Sequence, residues 1–137
     1  MVQIPRGIRN NNPLNIRIGN AWQGEVEDPT DPDFEQFKCM HYGLRAGFLL
    51  IKRYIERYRL DTITAIISRW APASENNTRH YIDVVSDMSE IGVLDKLDFN
   101  NMSQMVRLVD AMIYVENGQK IDRALIQSGY LIAKEGF

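Results

Sequence analysis

The sequence has few of the residues that form cross-links or bind metals. It contains one cysteine and two histidines among 137 residues. Cys39 therefore has no intrachain disulfide partner, and we expect it to be a small, half-buried apolar residue. His41 and His80 stand apart from any acid or cysteine cluster, so we expect no metal site and no cofactor.

Long apolar runs and a dominant charge are also missing. No segment reaches the ~20 apolar residues that a membrane-spanning helix needs. The start of the chain has no apolar core of the kind found in signal peptides, so we expect synthesis in the cytoplasm. With 16 basic and 18 acidic residues the net charge is −2, which argues against a nucleic-acid partner. The cluster Arg69, Arg79 and His80 keeps a small DNA-binding protein as a weaker alternative.

The composition favours one globular domain that covers residues 1–137. Apolar residues make up 45% of the chain, enough for one core. Their spacing of three and four positions predicts a mainly α fold. Expected helices cover about 43–58, 62–70 after a cap at Asp61 or Thr62, a segment from Asn77, a segment from Asn101 or Ser103 to about 117, and 120–133.

Residues 6–38 are predicted to be loop and short strands, which makes the fold class α+β. Leu14, Ile16 and Ile18 alternate with polar residues, as in a half-buried strand. The pair Gly19-Asn20 is typical of a turn, and residues 22–26 would form the return strand. The sequence thus predicts a small N-terminal β element beside the helices.

Glu116 interrupts an apolar helix face. Met105, Val109, Met112 and Ile113 form a stripe whose next position is Glu116. An apolar setting and the negative end of a helix both raise the pKa of a carboxyl group, and a protonated carboxyl near neutral pH suits a general acid. The alternative interpretations are that the helix ends one turn earlier or that Glu116 pairs with an arginine.

Three segments resemble parts of one enzyme superfamily. The stretch "LVDAMIYVENG" (108–118) resembles the catalytic helix of lysozyme-like peptidoglycan lytic transglycosylases and glucosaminidases. The stretch "NNNPLNIR", followed by Trp22-x-Gly24 and "FEQF", is similar to the segment that follows the catalytic glutamate in glucosaminidase-type members. Residues 63–85 are similar to a third part, in which the end of one helix precedes a second helix that carries a tyrosine near the cleft. Trp70-Ala71-Pro72 and Tyr81 would occupy these places, and Trp70 could equally belong to the core. The order of the segments differs, so the resemblance implies a circularly permuted lysozyme-like domain.

The resemblance implies a function and a set of site residues. Glu116 would act as acid and then base on the bond between MurNAc and GlcNAc, with either a 1,6-anhydro or a hydrolysed product. Asn117 stands where such enzymes usually have serine. The expected substrate-binding residues are Asn10, Asn11, Asn12, Asn15, Glu75, Tyr81 and Asn117, because asparagine amides both donate to and accept from sugar groups.

Each of these assignments has a structural alternative. The asparagine run could form a turn, Glu75 could cap a helix, and Tyr81 could belong to the core. Small phage virion proteins open with a stretch similar to this one, which implies delivery in a phage particle, or to the periplasm or cell wall. The expected partners are peptidoglycan strands and other phage-particle proteins. The competing hypothesis is a non-catalytic structural or glycan-binding phage protein.

Overall fold

Helices dominate the part of the chain that the structure describes. The computed structural model describes residues 3–74 and 76–135. Within these residues no helix is both long and apolar enough to cross a membrane. The six helices of the described residues are α1 (Arg6–Arg9), α2 (Met40–Glu56), α3 (Ile63–Trp70), α4 (Thr78–Ser89), α5 (Met102–Asn117) and α6 (Arg123–Glu135).

The predicted helix boundaries are confirmed where capping chemistry marks them. The side chains of Thr62, Asn77 and Asn101 each accept a hydrogen bond from the backbone N–H three residues ahead, at 3.0–3.1 Å. These bonds satisfy N–H groups that the first turn of a helix leaves open. At the other end of α5, Gly118 adopts a left-handed conformation with φ 70°, which glycine allows at little cost. Helix α1 was not predicted.

The core surrounds α5, which packs against α4 and α6 while α2 packs against α6. Tyr130 of α6 is fully buried and contacts Phe48 and Phe99, with ring centroids 5.5 and 5.4 Å apart. Its hydroxyl donates to the Phe99 carbonyl at 2.8 Å, so the buried polar group of this side chain has a hydrogen-bond partner. Burial of each such ring contributes about 1.5–3 kcal/mol. The helices thus form a firm base for the irregular N-terminal segment.

The structure corrects the predicted β element. Residues 10–39, all of them described, contain two isolated antiparallel bridges, Arg17 with Phe34 and Glu25 with Phe37, and no longer strand. The two predicted strands therefore do not pair with each other. Leu14 and Ile16 are buried as expected, but Ile18 is half exposed. The alternation of apolar residues reflects local burial in a loop rather than a pleated strand.

Asn12 replaces much of the missing strand ladder. The side chain is completely buried. Its Nδ2 donates to the carbonyls of Ile16 (2.9 Å) and Glu35 (3.0 Å), and its Oδ1 accepts from the Ile16 N–H (3.0 Å). One amide group thus satisfies three backbone groups on two segments that lie far apart in sequence. This arrangement holds the loop in place without regular secondary structure. Cys39, expected to be half-buried, is exposed at the start of α2.

Glu35 is an unusual buried acid in the same loop. It is 7% exposed, and its Oε2 has no hydrogen-bond partner. Burial and the nearby carboxyl of Glu25 raise the pKa of Glu35 to about 7, although the backbone N–H groups of Gly19 and Asn20 act in the opposite direction. A carboxyl with a raised pKa binds its proton more tightly in the folded than in the unfolded chain.

This pKa shift predicts a specific dependence of stability on pH. Between pH 4.5, where the unfolded chain loses the proton, and about pH 7, the free energy of unfolding should fall by up to about 3 kcal/mol. The substitution Glu35→Gln should remove most of this decline, because glutamine does not titrate. Urea unfolding at a series of pH values measures it. Exposed Glu27 in the same loop supplies the control, Glu27→Gln, and equal pH profiles for the two variants would refute the assignment.

Candidate active site

Glu116 lies in the last turn of α5 and faces an open groove of about 480 Å³. The prediction that an acid continues the apolar stripe of this helix is confirmed, because the helix extends to Asn117. The groove lies between the N-terminal loop and helices α2 and α3. The described residues that line it are Asn15, Ile16, Arg17, Asn20, Phe34, Leu50, Arg53, Tyr54, Tyr58, Arg69, Trp70, Ala71, Pro72, Asn76 and Glu116.

Two side chains from distant parts of the chain hold the Glu116 carboxyl group. The Nδ2 of Asn15 donates to Oε1 at 2.9 Å. The hydroxyl of Tyr81, on α4, lies 2.9 Å from Oε2. The carboxyl group is therefore fixed on both oxygens and cannot rotate freely. The loop, α4 and α5 must all be in place to build this arrangement.

The environment raises the pKa of Glu116. Burial raises the pKa of this carboxyl group, while the hydrogen bonds from Asn15 and Tyr81 and the charge of Arg17 lower it. The burial effect is the largest, so the net shift is upward. The helix C-terminus adds to the same preference, because its partial negative charge disfavours a second one. The group can thus hold a proton and, once ionised, has donors ready to stabilise it.

Tyr81 remains a hydroxyl donor. The side chain is 6% exposed, and burial together with the neighbouring Glu116 raises its pKa well above the ordinary value. A phenol in this setting does not ionise near neutral pH. The sequence left open whether Tyr81 belongs to the core or to the cleft, and the structure shows that its ring is buried while its hydroxyl reaches the acid.

The N-terminal loop positions Asn15 by close packing on the end of α5. Asn15 has a left-handed backbone with φ 52°. The Nδ2 of Asn117 donates to the carbonyls of Pro13 (2.8 Å) and Ile113 (2.9 Å), which ties the loop to the helix. Asn117 therefore fastens the site rather than lining the groove. Gly7 lies against both asparagines, and a Cβ at this position would come within 2.6 Å of Asn117 Oδ1 and 2.8 Å of Asn15 Oδ1.

The asparagine triplet lies outside the groove lining. Asn10 donates to Asp31, Asn11 donates to the Phe37 carbonyl with a left-handed φ of 53°, and Asn12 makes the buried bonds described above. All three side chains thus bind the segment 31–37, and Asn11 has the left-handed backbone that the turn-forming alternative predicts. Among the asparagines of the opening stretch it is Asn15 that reaches the acid. The predicted role of Glu75 falls outside the described residues.

Sequence analysis named Trp70 through the resemblance but did not place the other residues of the opposite wall in a groove. Arg53 and Tyr54 belong to α2, and Tyr58 lies two residues after its end, whereas Arg69 and Trp70 belong to α3. In the sequence both arginines stand next to apolar residues of a helix, and arginines on an ordinary solvent-exposed helix face do the same. Their convergence depends on how α2 and α3 pack. Besides Trp70, the available signal was the pair Tyr54 and Tyr58, four positions apart in the helix predicted over about 43–58.

The fold and the site describe a small helical protein with a half-buried acid in an open groove. Comparison with known sequences defines its relationships more narrowly. No family model matches the sequence. The chain is 44% identical over 117 residues to Protein P5 of Pseudoalteromonas phage PM2, a match that covers 82% of this chain and 71% of the phage protein. The chain therefore belongs to the family of Protein P5, which links it to bacteriophages.

The packing at Gly7 leads to a prediction about the site. Gly7→Ala would force the two asparagine side chains apart, and it should lower the free energy of unfolding by about 1–3 kcal/mol. Because Asn15 donates to Glu116, its displacement should also raise the pKa of Glu116. Chemical denaturation and an NMR titration of the carboxyl carbon measure the two effects. Gly19→Ala is the matched control, since a Cβ there has no neighbour within 4 Å; an equal response of both variants would contradict the prediction.

Proposed function

We propose that this protein is a peptidoglycan-cleaving glycosidase and that Glu116 is its general acid and base. The proposal is carried by one observation: a carboxyl group with a raised pKa faces an open groove and accepts hydrogen bonds on both oxygens. The resemblance of residues 108–118 to the catalytic helix of lytic transglycosylases supports the same role. The reaction would break the bond between MurNAc and GlcNAc.

In the first step protonated Glu116 gives its proton to the glycosidic oxygen. The bond from C1 of MurNAc to that oxygen then breaks, and the GlcNAc 4-hydroxyl leaves. Glu116 becomes a carboxylate in a poorly solvated place. The Asn15 amide and the Tyr81 hydroxyl are already aimed at its two oxygens, so the new charge is stabilised without any rearrangement of the site.

In the second step the carboxylate acts as a base. It removes the proton from the MurNAc 6-hydroxyl, whose oxygen attacks C1 and closes a 1,6-anhydro ring, or it activates a water molecule instead. Either route returns Glu116 to its protonated form. Of the described residues that line the groove, Glu116 is the only carboxylic acid. Glycosidases that hydrolyse by a nucleophile or a separate base normally use two carboxylates, and Glu75, the other acid that the sequence suggests, lies outside the described residues, so both routes stay open.

The wider assignment follows the same resemblance. We propose a lysozyme-like fold in which the segment order is circularly permuted, because the segments that resemble this superfamily follow one another in a different order in this chain. The bacteriophage relationship supports a role in the phage particle, with delivery to the cell wall of the host. Glycan strands and other phage-particle proteins remain the proposed partners.

Substitution of the acid tests the proposal directly. Glu116→Gln keeps the side-chain volume but cannot donate the proton, so cleavage of purified cell walls should fall by about 10²–10⁴-fold. Turbidity clearing measures the rate, and mass spectrometry of the products separates 1,6-anhydro from reducing ends. Glu27→Gln, at an exposed acid outside the groove, should clear like the wild type. Undiminished clearing by Glu116→Gln would refute the role of Glu116, and a wild-type protein that binds glycans but releases no fragments would support the non-catalytic alternative.

Tyr81 predicts a second, independent effect. Tyr81→Phe removes one donor that lowers the pKa of Glu116, so the pKa of the acid should rise. Activity that requires protonated Glu116 should then persist to higher pH, and the basic limb of the kcat/KM profile should move upward, while kcat falls because the carboxylate has lost a donor. A pH-rate profile measures both. A fall in rate with no movement of the basic limb would show that Tyr81 acts only through packing.

A further inference from the structure

The groove wall formed by the end of α2, the residues just after it, and α3 combines arginines with aromatic rings. The guanidinium carbon of Arg69 lies 5.0 Å from the centre of the Tyr58 ring and 5.6 Å from that of Tyr54. Trp70 meets Tyr54 edge to face at 5.8 Å. Arginine that stacks on a ring keeps its N–H edge available for an anion. The rings therefore set the place of Arg69 without using its hydrogen-bonding capacity.

Arg53 extends the same wall. Its guanidinium carbon lies 5.8 Å from the ring centre of Trp22. No carboxylate of the described residues lies within 4.0 Å of either Arg53 or Arg69, whereas Arg6, Lys52 and Arg123 all have such partners. The two groove arginines are thus oriented by aromatic contacts instead of acids. We call Arg53 and Arg69, with Tyr54 and Tyr58, the arginine wall.

The described residues of the groove include more basic than acidic side chains, whereas the whole chain carries a net charge of −2. Arg53 and Arg69 have no carboxylate of the described residues within 4.0 Å, and the one acid among the described lining residues is Glu116, whose pKa burial raises. A cleft of one sign concentrates ligands of the other sign. The groove therefore favours an anionic ligand that is long enough to reach both Glu116 and the arginine wall.

We propose that the arginine wall is a subsite for the carboxylates on the peptide stems of peptidoglycan. The proposal rests on the proposed function, because it takes the ligand to be a glycan cut at Glu116. Arginine binds carboxylates through paired, charge-assisted hydrogen bonds. The protein would then prefer glycan strands that carry charged stems over the same strands without charge. Arg53 and Arg69 act here in binding and specificity, while the proton transfers remain with Glu116.

A binding experiment tests the subsite without turnover. The Glu116→Gln protein is titrated calorimetrically with soluble peptidoglycan strands, and in parallel with the same strands after their carboxylates have been converted to carboxamides. Adding Arg53→Gln and Arg69→Gln should weaken binding of the native strands about tenfold, since charge-assisted hydrogen bonds are lost. Binding of the amidated strands should not change. Raising the salt concentration should weaken only the native complex of the protein with intact arginines.

The controls separate this proposal from the previous one. Arg79→Gln, on exposed α4 where Arg79 pairs with Asp83, should leave both affinities unchanged. Equal affinity of the arginine variants for native strands, or equal loss on both kinds of strand, would overturn the subsite. Tighter binding of a single-stranded oligonucleotide than of native strands would overturn it in favour of a nucleic-acid groove. Cleavage that Glu116→Gln does not reduce would refute the proposed function, yet the carboxylate-dependent difference in binding would still be measured on its own.

Discussion

The candidate site depends on the two hydrogen bonds that hold the Glu116 carboxyl group, which come from residues far from it in the sequence. Burial raises the pKa of Glu116, and the N-terminal loop and α4 supply the two side chains that contact its carboxyl group. The same neighbours that bury the group also offer hydrogen bonds to its ionised form. Burial and hydrogen bonding thus oppose each other at one carboxyl group, which lets it hold a proton and release it at modest cost.

The N-terminal loop meets this requirement without regular secondary structure. The Asn12 side chain satisfies backbone groups of two segments, and Asn117 fastens the loop to the end of α5. Asparagine suits both tasks, since its amide imitates a peptide group and it tolerates a left-handed backbone. The result is a rigid support for Asn15 built from side-chain bonds where other proteins use a strand ladder. Specific amides thus fix the local shape together with backbone hydrogen bonds and the buried side chains of Leu14 and Ile16.

Local signals in the sequence predicted the helices, and tertiary contacts decided what the sequence did not reveal. Thr62, Asn77 and Asn101 cap N–H groups only three residues away, so the sequence alone suffices to mark these helix starts. The position of Glu116 followed from a helical stripe for the same reason. In contrast, the alternation at Leu14 and Ile16 is equally compatible with a strand and with a buried loop. The left-handed residues that choose between the two leave no periodic signal.

The candidate site shows the same division. The acid was predictable because it violates the pattern of its own helix, and Tyr81 was named from the resemblance of its segment. The arginines of the opposite groove wall could not be predicted. Arg53 and Arg69 lie on different helices, and on each helix the arginine resembles an ordinary surface residue. Only the packing of α2 against α3 brings them to one groove. The net charge of the chain is slightly negative and does not reveal that arginines gather in one groove.

The long separation between Glu116 and its partners has a consequence for how the protein comes into being. Asn15 leaves the ribosome 101 residues before the acid it serves, and Tyr81 leaves 35 residues before it. Contacts that close such long loops form late in folding, since the entropy of the intervening chain must be lost first. Until α5 packs against these partners, the Glu116 carboxyl group lacks the burial that raises its pKa. The acid thus acquires its raised pKa only when the N-terminal loop, α4 and α5 have come together.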